Sequence, residues 1–323
     1  MQRWSWTGGE WRCSESHLAD EVSTHYECYG NPDVTLASGH RRQASHSGYH
    51  RSVQLRFSRN GAMMMVHMRL LWLVLGLLFV IQSGSADELS SARQFDPPHV
   101  VMLIAEREYE TMQSLKRFSE DRKKAYRFTI VAEDPNDRNR LVGLDSLQTA
   151  DVMLVSVRRR TLPTDQLASI REFVSQGKPV IGIRTASHAF SLRNQEPPNG
   201  RVDWQDFDNV IFGGNYTNHH GNDLRVKLGF VDAALKDALL KGIDAERTYS
   251  SSSSLYRVSP LMKGTKVVMW GQVEGHPAEP IAWTYRRADG GKSFYTSLGN
   301  TEDFRGLVLP ALLGNALVWA LGK

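Results

Sequence analysis

The stretch Pro179-Val180-Ile181-Gly182-Ile183-Arg184-Thr185-Ala186-Ser187-His188-Ala189-Phe190 constrains the fold more than any other part of the chain. Val180 to Ile183 is the continuous apolar run of a strand buried on both faces. A short polar turn follows, and then a segment able to open a helix. A strand that stops against a helix start brings side chains and backbone N–H groups to one point, and many α/β hydrolytic sites are built at such a corner. Here the turn holds Arg184, Thr185, Ser187 and His188, with no cysteine and no Gly-x-Ser-x-Gly. The corner of a nucleophile elbow is expected without its usual nucleophile.

The surrounding pattern gives the fold class. His99 to Ala105, Phe128 to Ala132 and Asp151 to Val157 are further strand candidates. Thr111 to Lys124 has helical spacing through Met112, Leu115 and Phe118, and Pro163 opens a helix that runs to Ser175, with Gly177 ending it. This alternation predicts an α/β fold, a doubly wound and mostly parallel sheet flanked by helices. Added C-terminal strands are expected at Leu224 to Phe230, Lys266 to Trp270, Pro280 to Tyr285 and Lys292 to Ser297. A short helix over Leu235 to Leu240 and a closing helix over Phe304 to Leu321 complete the reading. Ser250 to Ser254 receives no core role, and Asn194 to Asn222 reads as one long loop of the kind that is usually functional.

The chain divides near residue 87. A single Arg69 precedes an uncharged apolar run from Leu70 to Ile81, and Gly84 and Ala86 stand just before Asp87. That is the pattern of a secretory signal peptide over residues 68–86. The run is 12 residues long, short of the roughly 20 that span a bilayer as a helix. Export to the periplasm or medium is expected, with membrane contact only through an uncleaved leader. Met63, Met64, Met65 and Met68 precede it. Residues 1–67 read as a mis-assigned start or a disordered extension, and 87–98 as a linker. Cys13 and Cys28 lie in the extension, so the domain 99–323 has no disulfide, thiolate nucleophile or cysteine ligand. A net charge of +4 is too small and dispersed for nucleic acid. Arg158-Arg159-Arg160 reads as a solvated loop after a strand.

Ligands of parallel sheets bind beyond the carboxyl ends of the strands. Glu106, Glu108, Tyr109, Arg184 and His188 all follow predicted strand ends, and the long loop carries His219. His188, His219, Glu106 and Glu108 are the acid–base candidates. Arg184, Thr185, Tyr109, Asn215, Tyr216 and Asn300 are the substrate-binding candidates, with Arg184 suited to clamp an anionic or hydroxyl-rich group. Tyr216 and Trp204 can stack on a sugar ring or pack the loop, and packing is the expectation for Phe207. No cofactor is expected with certainty; His188 and His219 are the pair that can share a divalent metal with an acid. His99 and His276 read as incidental.

The segments Gly182-Ile183-Arg184-Thr185-Ala186-Ser187-His188-Ala189-Phe190, Gly213-Gly214-Asn215-Tyr216 with Asn218-His219, Glu279-Pro280-Ile281-Ala282-Trp283-Thr284 and Phe294-Tyr295-Thr296-Ser297-Leu298-Gly299 stand in a definite order. By these, the chain from about His99 to Lys323 resembles the ThuA-like (trehalose utilisation) family, whose fold looks like class I glutamine amidotransferases. The resemblance implies carbohydrate metabolism in secreted bacterial relatives. Two departures stand out. Arg184 occupies the place of the amidotransferase cysteine, which disfavours glutaminase chemistry. Asn300 stands where many relatives have histidine, and it cannot act as a base near neutral pH.

Two functions follow as expectations. One is an enzyme of keto-sugars, a hydrolase, lyase or isomerase acting on (keto-)disaccharides or related glycosides through His and carboxylate groups. The other is a noncatalytic sugar-binding module with a degenerate site. In both, the partner is a small carbohydrate. The kind of sugar and the oligomeric state are not written in the sequence.

Overall fold

The computed structural model describes residues 2–7, 10–15 and 96–323. Within the N-terminal segment, β1 (Gln2–Thr7) and β2 (Glu10–Glu15) pair antiparallel, Gln2 with Glu15 and Thr7 with Glu10. The rest of residues 1–67 lies outside the described residues. The expected leader at 68–86 and linker start lie outside the described residues.

The domain is built on one ten-stranded sheet. Its centre is parallel. β3 (His99–Ala105) lies between β4 (Arg127–Asp134) and β6 (Val152–Val157). β6 pairs in parallel with β8 (Val180–Ile183), and β8 with β16 (Lys292–Thr296). One margin is closed by the antiparallel β5 (Asp137–Val142). The other side continues antiparallel from β16 through β15 (Glu279–Arg286), β14 (Thr265–Gln272) and β11 (Val226–Phe230) to β12 (Tyr249–Ser251). Two small pairs lie outside the main sheet. β7 (Leu162–Pro163) joins β9 (Arg201–Val202), and β10 (Asn218–His219) joins β13 (Tyr256–Arg257).

Successive side chains of β3 alternate between two cores, as the pleat requires. Val100, Met102 and Ile104 face one layer, with Leu115, Phe118, Leu312 and Leu317 from the helices Thr111–Glu120 and Val308–Ala320. Val101, Leu103 and Ala105 face the other, with Leu167, Ile170 and Phe173 of the helix Thr164–Ser175 and with Phe207, Phe212 and Tyr295. Every residue of β3, β6 and β8 is buried, which explains their unbroken apolar sequence.

Several elements differ from their expected form. The first helix ends at Glu120 rather than Lys124. The expected helix 235–240 is two 3-10 turns, Asp232–Ala234 and Ala238–Leu240. The closing helix is two, Thr301–Arg305 and Val308–Ala320, because Gly306 takes an extended backbone between them. The long loop contains a π-turn, Asp208–Phe212. Among the described residues, no helix is long and apolar enough to cross a membrane.

Candidate functional site

The elbow forms where β8 stops. Ile183 is extended, but Arg184 turns to φ +44, and a 3-10 turn runs from Arg184 to His188. A left-handed backbone at a residue other than glycine costs roughly 1–3 kcal/mol and needs surrounding contacts to hold it. Those contacts are present. The Tyr295 hydroxyl donates to the Arg184 carbonyl at 2.6 Å. The guanidinium donates from Nη1 to the Ser297 carbonyl at 2.8 Å. Its Nη2 donates to Ser254 Oγ at 3.0 Å and to the Tyr109 hydroxyl at 3.4 Å. The same cation lies 4.3 Å from the Tyr109 ring centre and 4.6 Å from that of Tyr256, within the range of cation–π attraction. Arg184 is buried, and its Nε has no partner. Thr185 Oγ1, beside it, is likewise buried without a hydrogen bond.

Gly182 is required at this corner. A Cβ there would come within 2.4 Å of Phe212 Cζ at the tip of the ring, and Trp283 Nε1 holds the Phe212 backbone by donating to its carbonyl at 2.7 Å.

The loop after β6 is tied to the elbow. Arg159 also has a left-handed backbone, φ +49, and its N–H donates to the His188 carbonyl at 3.0 Å. The Arg160 N–H donates to the Ala189 carbonyl at 2.7 Å. The arginine run is therefore not a solvated loop. Arg160 is buried and paired with Glu133, Arg158 pairs with Glu108, and Arg159 is half-buried beside the elbow. Their strand neighbours bring them there, which charge runs in a sequence do not reveal.

His188 is buried, with its Nδ1 3.1 Å from Ser187 Oγ. The Ser187 hydroxyl donates to the Arg184 carbonyl at 3.3 Å. On that assignment Nδ1 carries the proton and Nε2 is the free basic nitrogen. Burial holds the imidazole well below its usual range, and Arg159, Arg158, Arg184 and Arg193 push in the same direction. His188 is neutral at physiological pH.

His188 stacks on Tyr216 with centroids 4.5 Å apart, and Tyr256 lies 6.0 Å away. Tyr216 and Tyr256 are 4.7 Å apart, and His219 is 6.4 Å from Tyr256. Tyr256 is thus the shared neighbour of both histidines and of Arg184. Burial raises both phenols, so both stay protonated. Asp208 sets this loop through its Oδ2, which accepts the Tyr216 N–H at 2.8 Å.

The other sequence candidates have different places. Glu106 points inward. Its two oxygens accept from the N–H groups of Glu108, Tyr109 and Thr111, each at 2.9 Å, and from the Thr111 hydroxyl at 2.5 Å. It closes the start of the Thr111–Glu120 helix, where a carboxylate also complements the helix dipole, and it holds Tyr109 in position. Glu108 is exposed against Arg158 at 2.7 Å. His219 is half-buried, with Nδ1 2.6 Å from the His220 carbonyl. Asn215 is half-buried beside Tyr216. Asn300 is occupied structurally: Oδ1 accepts the Asp303 N–H at 2.8 Å in a capping box, and Nδ2 donates to Ser252. Phe207 packs the core with Trp204, at 5.2 Å. His99 sits at the opposite strand end, against Thr149 and Thr129. No group of three or more His, Cys, Asp or Glu among the described residues is arranged to hold a metal ion.

Sequence reading missed Tyr256, which belongs to no motif, and the serine run. Ser251 and Ser253 donate to the buried Asp303 carboxylate at 2.6 and 2.8 Å, and Ser254 meets Arg184. Asp303 also accepts the Gly299 N–H at 2.9 Å. The run is a polar brace under the site.

A sheet parallel at its centre and antiparallel at its margins, with helices on both faces and an elbow carrying arginine, defines a glutamine amidotransferase-like fold. The chain belongs to the ThuA family, described as trehalose utilisation, which it matches over residues 100–320. Among solved structures it is similar to a ThuA-like protein from Bacteroides uniformis ATCC 8492. That match has 15% identity and a TM-score of 0.52, covering 71% of this chain and 94% of that one. A ThuA-like protein from Parabacteroides merdae ATCC 43184 matches at 13% identity and a TM-score of 0.51, over 71% and 91%. At these identities the likeness shows the fold. Comparison with curated proteins gives no match.

Proposed function

We propose that this chain is an exported ThuA-like protein that acts on (keto-)disaccharides or related glycosides by acid–base chemistry centred on His188. The observation that carries the reading is the neutral, buried imidazole with a free Nε2 at the strand-end elbow. A neutral imidazole keeps a lone pair on Nε2 that can accept a proton, and its lowered basicity means that the proton is readily passed on. Placed beside a keto group, it removes the proton on the neighbouring carbon. The electron pair moves onto the carbonyl oxygen, and that oxyanion needs donors and positive charge. The protonated Tyr216 and Tyr256 hydroxyls, neither hydrogen-bonded within the described residues, and the Arg184 cation supply both. Expulsion of the glycosidic oxygen, which takes the proton back from the His188 imidazolium, completes an elimination; return of that proton to carbon gives an isomerisation instead.

The carboxylate half of the expected pair is weaker. Glu106 is fully engaged by four donors and Glu108 by Arg158. Together with the structural use of Asn300, this favours a second reading, a noncatalytic sugar-binding module built on the same cluster.

The test is turnover of 3-keto-disaccharides by purified protein, with His188→Ala compared. Loss of about 10²–10⁴-fold with an unchanged melting temperature supports the enzyme. Sugar binding without turnover in either form supports the module. Turnover undiminished in His188→Ala overturns the mechanism.

A further inference from the structure

Four arginines stand at the His188 elbow: Arg158 and Arg159, the second donating its N–H to the His188 carbonyl at 3.0 Å, Arg184, which opens the elbow turn, and Arg193, five residues past His188; all four lower the basicity of the imidazole. They come from separate parts of the chain, two from the loop after β6, one from the elbow and one from the segment beyond it. Only Arg158 meets a rim carboxylate, Glu108. Arg159 donates from Nη1 to the Ser191 carbonyl at 3.2 Å and has no acidic partner among the described residues. Arg193 is exposed and makes no hydrogen bond or ion pair among them. Ser191, whose carbonyl the Arg159 guanidinium touches, stands two residues before Arg193, which brings the two cations to one stretch of backbone. Like charges brought together without counter-charge destabilise the native state. Here one of them is held on a strained left-handed backbone as well, a conformation that persists where the surroundings impose it for use.

We infer that the occupant of this rim carries an anionic group, a sugar-ring carboxylate or phosphate, which Arg159 and Arg193 receive beside His188. A guanidinium fork matches the oxygens of either group and binds them through charge-assisted hydrogen bonds. The inference rests on the reading that the His188 cluster is a carbohydrate site. It narrows that reading from sugars in general to acidic ones. A neutral ligand leaves the two guanidinium groups unanswered.

Isothermal titration of the full chain tests this with glucuronate, glucose 6-phosphate and glucose as probes. At least one acidic probe is expected to bind ten or more times tighter than glucose at low salt. The preference is expected to shrink as sodium chloride is raised, because exposed charges are screened. Glucuronate over glucose 6-phosphate identifies a carboxylate site, and the reverse order a phosphate site. Arg193→Gln, an exposed change that leaves the core untouched, is expected to weaken the preferred acid about tenfold and leave glucose unchanged. Arg159→Gln is expected to do the same. Equal affinity for acidic and neutral probes overturns the inference, as does failure of both acids to bind, or equal weakening of glucose in the variants. Neutral keto-disaccharide turnover with no acidic preference removes this inference and leaves the acid–base reading standing. Acidic binding without turnover of any keto-sugar does the opposite.

Discussion

The imidazole of His188 lies on the phenol of Tyr216, centroids 4.5 Å apart and planes inclined by 25°. Tyr216 is held there by its own backbone, whose N–H donates to Asp208. The carboxyl group that positions the stack is buried, and its other oxygen has no partner. Gly214 packs directly against it, leaving no room for a side chain. The geometry of the base therefore depends on a group that is itself costly to ionise.

That dependence has a pH signature. Burial pushes the Asp208 carboxyl up to about 7, with the Tyr216 N–H pulling the other way. The unfolded chain releases this proton near 4. Between those values the native state holds a proton that the unfolded state has lost. The stability Asp208 contributes is thus complete below about pH 4 and lost as pH rises through about 7. In Asp208→Asn this loss disappears. Melting temperatures from pH 5 to 8 are expected to fall more steeply in the wild type than in the variant. Parallel curves would show that Asp208 is ionised throughout.

Glu106 gives a prediction that separates architecture from chemistry. Glu106→Gln replaces one acceptor oxygen with an NH2 group facing backbone N–H donors. Two of four hydrogen bonds are lost, and the cost expected is about 2–3 kcal/mol. Chemical denaturation measures it. A stable variant with abolished turnover would instead make Glu106 a catalytic carboxylate.

Gly182→Ala places a methyl group against the tip of the Phe212 ring, 2.4 Å from Cζ. Overpacking of this kind costs about 1–3 kcal/mol. Phe212→Leu in the same chain is expected to return part of the loss, because the smaller side chain vacates the space. A double-mutant cycle with no coupling would place the strain elsewhere.

The parallel strands were readable because both of their faces are covered. His99–Ala105 and Val180–Ile183 have the limits their apolar runs suggest. β5 was not readable: in Asp137-Arg-Asn-Arg-Leu-Val142 only Leu141 is buried, so an edge strand looks like a polar loop. The break at Gly306 was hidden because Leu307 and Val308 continue the apolar periodicity across it. The elbow, with Arg184 and His188, was legible from local sequence. Tyr256 and the serine run were not, since their meaning lies in partners far along the chain. Ser251 means little until Asp303 is beside it, 52 residues later. Glu106 misled in the opposite direction. A carboxylate after a strand end looks the same whether it faces a ligand or caps the next helix.

Arg184 reaches partners 70, 75 and 113 residues away, at Ser254, Tyr109 and Ser297. Only Tyr109 has left the ribosome when the elbow emerges. The central parallel strands β3, β4, β6 and β8 are complete at that moment, but Ser254 and Ser297 have yet to be synthesised. Closing contacts over such separations is slow. During synthesis, the elbow arginine waits for the last third of the polypeptide, and no N-terminal fragment ending before Ser297 can assemble the site.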